Sequence, residues 1–342
     1  MEFVKKTLKE LCSLMTVSGF EKKSREQLYT LVSPLFDKVE EDSFGNLVCV
    51  KNGGRDNSPR LMIDAHLDTV GMMVTDILEG GFLSVVSIGG LDTRILPSAE
   101  VTVYGKERVY GIISSIPPHL RKSRDSSVPT MEELYIDTGY SKDALKEIVS
   151  VGDPVVIEGR YTELQNGYIC SASLDDKACA CGVLDAVSRM DKDTLKYDVY
   201  VTLSAQEETG KCGAALCAYR IKPDMAIVTD VNFGTLEDDD LDSIKCGEGA
   251  AIDISAATDR RLTRGIMALL DKSDIPYQRV CEPTRTGTNS ELVSVTGEGV
   301  PTVLMSVPLK SMHTPVEAVC LSDIKSLSDI ILKVATTEAD AL

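Results

Sequence analysis

Tryptophan is absent from this sequence of 342 residues, histidine occurs three times, and aromatic residues make up 5%. Without tryptophan the chain lacks the residue that most readily stacks on a sugar ring. Positive charge is the scarcer sign: 36 Lys+Arg stand against 53 Asp+Glu, a net charge of −17. A chain this acidic is repelled by polyanions, which argues against nucleic acid and against an anionic membrane as partners. No run of about 18 apolar residues occurs, so no membrane-spanning helix is expected. The opening MEFVKKTLKELCSLM is interrupted by charges throughout, and it does not read as a signal peptide. No Cys-x-x-Cys occurs among the ten cysteines, so neither a zinc ribbon nor a thioredoxin-like motif is supported. Cys179 and Cys181 lie in an apolar segment, as do Cys212 and Cys217. Reduced, buried thiols in a cytoplasmic protein are the expectation.

What is present is ordinary globular composition, 43% hydrophobic and 26% charged, at a length that suggests about two domains. Residues 2–14 and 22–34 read as helices, and 38–52 as a hairpin turning at Ser43-Phe44-Gly45-Asn46. Pro59 to Asp64 reads as a buried strand. From about 70 to 165 the texture changes to short Val- and Ile-rich runs (82–88, 99–104, 109–113 and 154–157) separated by turn residues, the pattern of a small β domain. From 175 onward helices (177–190, 213–219, 260–272, and from 322) alternate with strands (197–205, 225–229, 301–307). This alternation implies an α/β layer architecture. The prediction is a discontinuous α/β domain with a β domain inserted near residue 70. The acidic run Glu237-Asp238-Asp239-Asp240 reads as a solvated loop.

The chemistry-bearing residues cluster at the ends of these strands and at helix starts, where open α/β sheets gather their sites. His66 stands in Asp64-Ala65-His66-Leu67-Asp68, with a carboxylate two residues on that can orient the ring. Asp175 and Asp176 precede a helix, where an N-cap is the simpler reading. Glu207 and Glu208 follow the strand 197–205, and adjacent carboxylates repel unless a cation or proton lies between them. Asp230 ends the strand 225–229, and His313 follows the strand 301–307. His119 is the third histidine. Two histidines and several carboxylates are enough for two divalent cations sharing a bridging carboxylate, with one carboxylate left over as general base.

The motifs in order resemble the tetrahedral (glutamyl-type) aminopeptidase family of di-metal peptidases, some members of which carry an endoglucanase or cellulase label. Thr16-Val17-Ser18-Gly19-Phe20-Glu21 is similar to its SGxE segment, and Gly45-Asn46-Leu47 to its GNL hairpin. Ala65-His66-Leu67-Asp68-Thr69-Val70-Gly71 resembles AHxDxxG, and Gly111 to Leu120 a signature of the insert. Leu174-Asp175-Asp176-Lys177 is similar to LDDR or LDNR, and Gln206-Glu207-Glu208-Thr209-Gly210 with Gly213-Ala214 to QEExGxxGA. The stretch from Gly299 to Glu317 resembles the closing segment that supplies the last histidine.

The resemblance implies a fold: a central mixed sheet with flanking helices over 1–69 and 166–342, and an inserted β-barrel-like domain over 70–165 that drives oligomerisation. It implies His66, Asp175 and Asp230 on one metal, Asp175, Glu208 and His313 on a second, Asp68 orienting His66, and Glu207 as general base. Two divalent ions are implied, Zn²⁺ or else Co²⁺ or Mn²⁺. So are peptide substrates shortened from the N-terminus, and a homo-oligomer, either a dimer or a tetrahedral dodecamer. His119 falls in the insert and is not implied as a ligand. Three positions depart from the pattern. Lys177 replaces Arg, Thr286 to Ser290 replaces a GTDA-like segment with Asn289 in place of the acid, and Lys310-Ser311-Met312-His313 replaces RYxH. Four other readings stay open at this point: a related di-metal deacylase, a carboxypeptidase, a glycoside hydrolase and a non-catalytic assembly homologue.

Overall fold

Buried β-branched strands want neighbours on both edges, and the α/β portion supplies them in one large mixed sheet. The computed structural model describes residues 1–55, 57–115, 128–235 and 244–342. At the centre four strands run parallel: Asp198–Ser204, Arg60–His66, Met225–Thr235 and Thr302–Lys310. Glu317–Cys320 and Ala250–Ser255 pair antiparallel with Thr302–Lys310. The hairpin Lys38–Glu41/Leu47–Lys51 closes the other side, antiparallel to Asp198–Ser204. The central strands are largely apolar and buried over most of their length, as parallel strands covered on both faces must be. The helices Glu2–Cys12, Leu174–Ser188 and Leu321–Ala335 pack on one another and, with the sheet, form the largest core.

Six strands between Gly71 and Ile157 close into a barrel. Its own core of Met72, Val74, Leu83, Val101, Ile113, Ile136 and Val155 is separate from that of the large sheet. Thr162–Glu163, inside the expected 70–165 segment, pairs instead with Tyr168–Ser171 in the large sheet. The structure therefore has an α/β layer with a mixed sheet and a closed antiparallel barrel, the predicted fold class.

Several elements differ from expectation in length. The 22–34 helix is a 3₁₀ turn Glu21–Ser24, a helix Arg25–Val32 and a further 3₁₀ turn Ser33–Leu35, since Pro34 has no N–H to continue the ladder. The 225–229 strand runs on to Thr235. Gly71–Ile77, Lys142–Ile148, Ala250–Ser255 and Tyr277–Glu282 were not foreseen. His119 and the run Glu237–Asp240 lie outside the described residues. All ten cysteines are free thiols, and among the described residues no helix is long and apolar enough to cross a membrane.

Candidate metal centre

The parallel strands deliver their C-terminal ends to one edge. His66 is the last residue of its strand and is 1% exposed. Pairing of Arg60–His66 with Met225–Thr235 stops at Asp64–Val228, so Asp230 lies in a strand that has just lost its neighbour on that side. Asp198–Ser204 ends in Gln206 at a positive φ of 58°, which turns the chain into the short helix Glu207–Gly210. Asp175 lies at the mouth of Leu174–Ser188, where the backbone is not yet helical and the Asp175–Asp176 peptide is cis. His313 sits in the turn after Thr302–Lys310, also at positive φ.

These side chains meet as two groups sharing one carboxylate. His66 Nε2 is 3.1 Å from Asp175 Oδ1 and 3.7 Å from Asp230 Oδ1. His313 Nε2 is 3.2 Å from Asp175 Oδ2 and 3.3 Å from Glu208 Oε1. Within each group, His66/Asp175/Asp230 and Asp175/Glu208/His313, the potential ligand atoms lie within 4.8 Å of one another. Glu207 lines the same cavity, of about 220 Å³.

The ring orientations suit a cation. His66 Nδ1 is 3.0 Å from the carbonyl oxygen of Asp68, and His313 Nδ1 is 2.8 Å from that of Gly90, which comes from the barrel side. A carbonyl only accepts, so each Nδ1 carries the proton and each neutral Nε2 turns a lone pair toward carboxylate oxygens. That arrangement repels unless a proton or a metal ion lies between. Glu208 Oε1 and Glu207 Oε1 are buried with no hydrogen-bond partner. Nitrogen and carboxylate donors in this mixture fit a divalent transition ion such as Zn²⁺, so the residues present fit the implied metals.

Without metal, protons take that place. Burial alone would drive His313 toward neutrality, but Asp175 and Glu208 outweigh it and push it up to about 11. His66 is raised in the same way, against its burial, by Asp175 and Asp230. Asp175, between the two rings, is held below the usual carboxylate range despite its burial. Glu207 is pushed up to about 8, chiefly by burial, with Asp230, Glu208 and Asp68 adding to it against the pull of His66.

A second tier of groups holds the backbone of this edge. Four consecutive amides are each received by a side chain: Ala205 N by Asn46 Oδ1 at 2.9 Å, Gln206 N by Glu21 Oε1 at 3.0 Å, Glu207 N by Asp68 Oδ1 at 2.9 Å and Glu208 N by Asp68 Oδ2 at 3.0 Å. The Asp68 carboxylate, expected to orient His66, is 3.7 Å from that ring. It spends its oxygens on the 207–208 amides, and the ring contact comes from the Asp68 main chain. Gly213 has no room for a side chain, since a Cβ there would lie 2.1 Å from Ala205 O and 2.5 Å from Asn46 Oδ1. The SGxE, GNL and GA motifs thus converge on one turn.

Glu317, quoted in the closing motif but given no role from sequence, is 2% exposed. Its Oε2 accepts from Leu174 N at 2.6 Å and Asp175 N at 3.2 Å, and its Oε1 accepts from His313 N at 2.7 Å. One carboxylate thereby ties the shared aspartate to the last histidine. Its position four residues after His313 was the only signal in the sequence. Leaving a buried donor unpaired costs about 1–3 kcal/mol. Glu317→Ala is therefore expected to lower unfolding free energy by about 3 kcal/mol in urea titration, and Glu317→Gln, which keeps one oxygen, by less. An unchanged midpoint in the alanine variant would remove Glu317 from this role.

Of the three departures, the Lys177, Lys310 and Asn289 side chains lie away from the cluster, whereas Thr286, Gly287, Thr288 and Met312 line its cavity. Lys177 is fully buried and donates to Leu14 O at 3.0 Å. Lys310 lies over the Tyr168 ring, 5.3 Å from its centroid. Asn289 donates to Asp64 Oδ2 at 2.9 Å and to Ser204 Oγ at 3.1 Å, beneath the site.

Comparison with known proteins identifies relatives of the whole chain. The family model described as M42 glutamyl aminopeptidase matches residues 45–330. A lysyl aminopeptidase of Pyrococcus furiosus is 27% identical over 331 residues, 95% of this chain and 93% of that one. The TET aminopeptidase of a marine sediment Thaumarchaeota archaeon superposes with a TM-score of 0.92 at 25% identity, covering 99% of this chain and 98% of the other. The TET1 peptidase of Pyrococcus horikoshii, which can assemble into a tetrahedron or a large octahedral shell, superposes with a TM-score of 0.85 at 29% identity, over 97% and 99% of the two chains.

Proposed function

The chain belongs to the M42 glutamyl aminopeptidase family, and from that premise we propose that it removes N-terminal residues from peptides with two divalent cations and Glu207 as general base. It is a peptidase hydrolase by family. The finer reading is supported above all by two donor groups sharing Asp175 beside a glutamate whose Oε1 has no partner. His66, Asp175 and Asp230 would hold one cation, and Asp175, Glu208 and His313 the other. When bound, the cations polarise the scissile carbonyl and make water acidic enough to ionise near neutral pH.

The rest of the work falls to the chain. Glu207 takes the water proton on its free oxygen and gives it to the leaving amine. A carboxyl whose pKa lies near neutral pH serves both steps; burial raises Glu207 in the metal-free protein, and two neighbouring cations would draw it back down. Asp68 keeps Glu207 in place by gripping its amide. The remaining carboxylates offer a counter-charge to a free α-amino group. The cavity is smaller than the roughly 300–1,000 Å³ that takes a whole small ligand, so it has room for one residue's side chain.

The experiment is digestion of a peptide mixture with free and acetylated N-termini by protein reconstituted with Zn²⁺ or Co²⁺, read by mass spectrometry. Stepwise shortening from free N-termini alone, stopped by a chelator, is the expected result. Internal cleavage, or attack on acetylated peptides, would overturn it.

A further inference from the structure

The same cavity has a wall that the mechanism does not use. Across the sheet from Asp230, the strand Thr302–Lys310 brings Ser306 into register with Asp230 and Leu304 into register with Asp253. Asp253 therefore stands two strand spacings, roughly 10 Å, from the strand that carries Asp230. All of these residues line the cavity. Asp253 is completely buried. Its carboxylate accepts from Ser306 Oγ at 2.7 Å and from Asn232 Nδ2 at 3.3 Å, both neutral donors. The same Asn232 amide group reaches a second carboxylate, Glu282 Oε1, at 3.2 Å. No lysine or arginine among the described residues lines the cavity. Burial pushes the Asp253 carboxyl up to about 8, and the neighbouring Glu282 and Asp230 add to that shift.

A buried carboxylate with only neutral partners is costly, and the cost falls when a cation reaches it. The cluster is no source of that cation. His66, Asp175, Asp230, Glu208 and His313 form the two donor groups, and neither Asp253 nor Glu282 belongs to them. A substrate residue anchored by its α-amino group at the cluster would send its side chain along Leu304 and Met312, both of which line the cavity. An aliphatic stem ending in a positive charge fits that course.

Resting on the aminopeptidase reading, we propose that this cavity selects substrates whose first residue is cationic, lysine or arginine, with Asp253 as the specificity-determining carboxylate. The probe is a set of aminoacyl 4-nitroanilides bearing lysine, arginine, norleucine and glutamate, given to the metal-loaded protein. Norleucine keeps the lysine stem and lacks the charge. Lysine should exceed norleucine in kcat/KM by roughly 10- to 100-fold, the range that a hydrogen bond to a charged group commands, and glutamate should fall below both. Asp253→Asn should bring the lysine-to-norleucine ratio within about 3-fold. If that variant does not fold, Glu282→Gln, on a partly buried side chain, should lower the ratio by roughly 2- to 3-fold. Norleucine or glutamate matching lysine in the wild type, or an unchanged ratio in a folded Asp253→Asn, overturns the proposal and leaves the aminopeptidase reading standing. Failure to cleave any of the four overturns that reading, and this proposal with it.

Discussion

Glu207→Gln is expected to lower kcat by about 10²- to 10⁴-fold, the usual contribution of a positioned general base, while metal content and folding are retained. The substitution is close to isosteric. It leaves the Glu207 N–H on Asp68 Oδ1 and its buried position untouched. What it removes is the basic carboxylate of a cavity-lining residue, one oxygen of which has no partner. None of the five residues in the two metal groups is Glu207, so metal binding should survive. Turnover and metal stoichiometry measured on one preparation check both halves. A Gln variant with two metals and full turnover would sink the assignment. Loss of metal together with turnover would make Glu207 a ligand.

The second large effect belongs to the metals, and its sign follows from the protons they displace. Chelation should abolish peptide cleavage. It should also open a stability gap between loaded and chelated protein that widens as pH rises. His313 is raised from 6.5 to about 11 in the metal-free protein. Its contribution to stability is fully present below about pH 6.5 and is lost as pH climbs toward 11. Glu207, raised from 4.5 to about 8, acts in the same direction. Its protonated form is favoured in the fold, so that contribution is present below about pH 4.5 and is gone above pH 8. The metal-free protein therefore weakens from pH 6 to pH 9. Metal binding strengthens over the same interval, because its donors must be deprotonated. At a hundredfold excess of metal over Kd the gap should reach about 3 kcal/mol near pH 8 and shrink below pH 6. Thermal unfolding with and without chelator across this range is the measurement. A gap that is flat, or larger at low pH, would contradict the cluster described here.

The strands that carry site residues were legible because each is a buried apolar run closed by turn chemistry, and the chemistry sits at the closure. His66 after Arg60–Ala65 and Glu207 after Asp198–Ser204 follow that rule. Asp230 obeys it only in part. Its strand continues to Thr235, and the opening arises because the neighbouring strand ends first, a property of sheet register that no single segment encodes. Glu317 was quoted but not understood, since its three partners lie on segments separated from it by up to 143 residues. Asp253 escaped for a different reason. Its strand Ala250–Ser255 has the sequence AAIDIS, short and with a charge inside, and it gains strand character from lateral pairing. The barrel runs 82–88 and 154–157 were plain, whereas Gly71–Ile77 was hidden by Gly71 and Asp76 within the run. The departures Lys177, Asn289 and Lys310 stand within or beside motifs that carry site residues. Their side chains point into packing and hydrogen bonds outside the cluster.

The turn at residues 205–208 has a dynamic consequence. Its four amides are held by Glu21, Asn46 and Asp68, which come from three segments distant in the chain. No local fluctuation of the turn can release them one at a time without breaking contacts made elsewhere. In native-state hydrogen–deuterium exchange these four amides should exchange together and slowly, through the opening that separates the hairpin, the N-terminal helices and the central sheet. The main chain that carries Glu207 would then be among the most rigid stretches of the molecule. A substrate would have to come to that stretch, and only the torsions of the Glu207 side chain would be left to adjust to it.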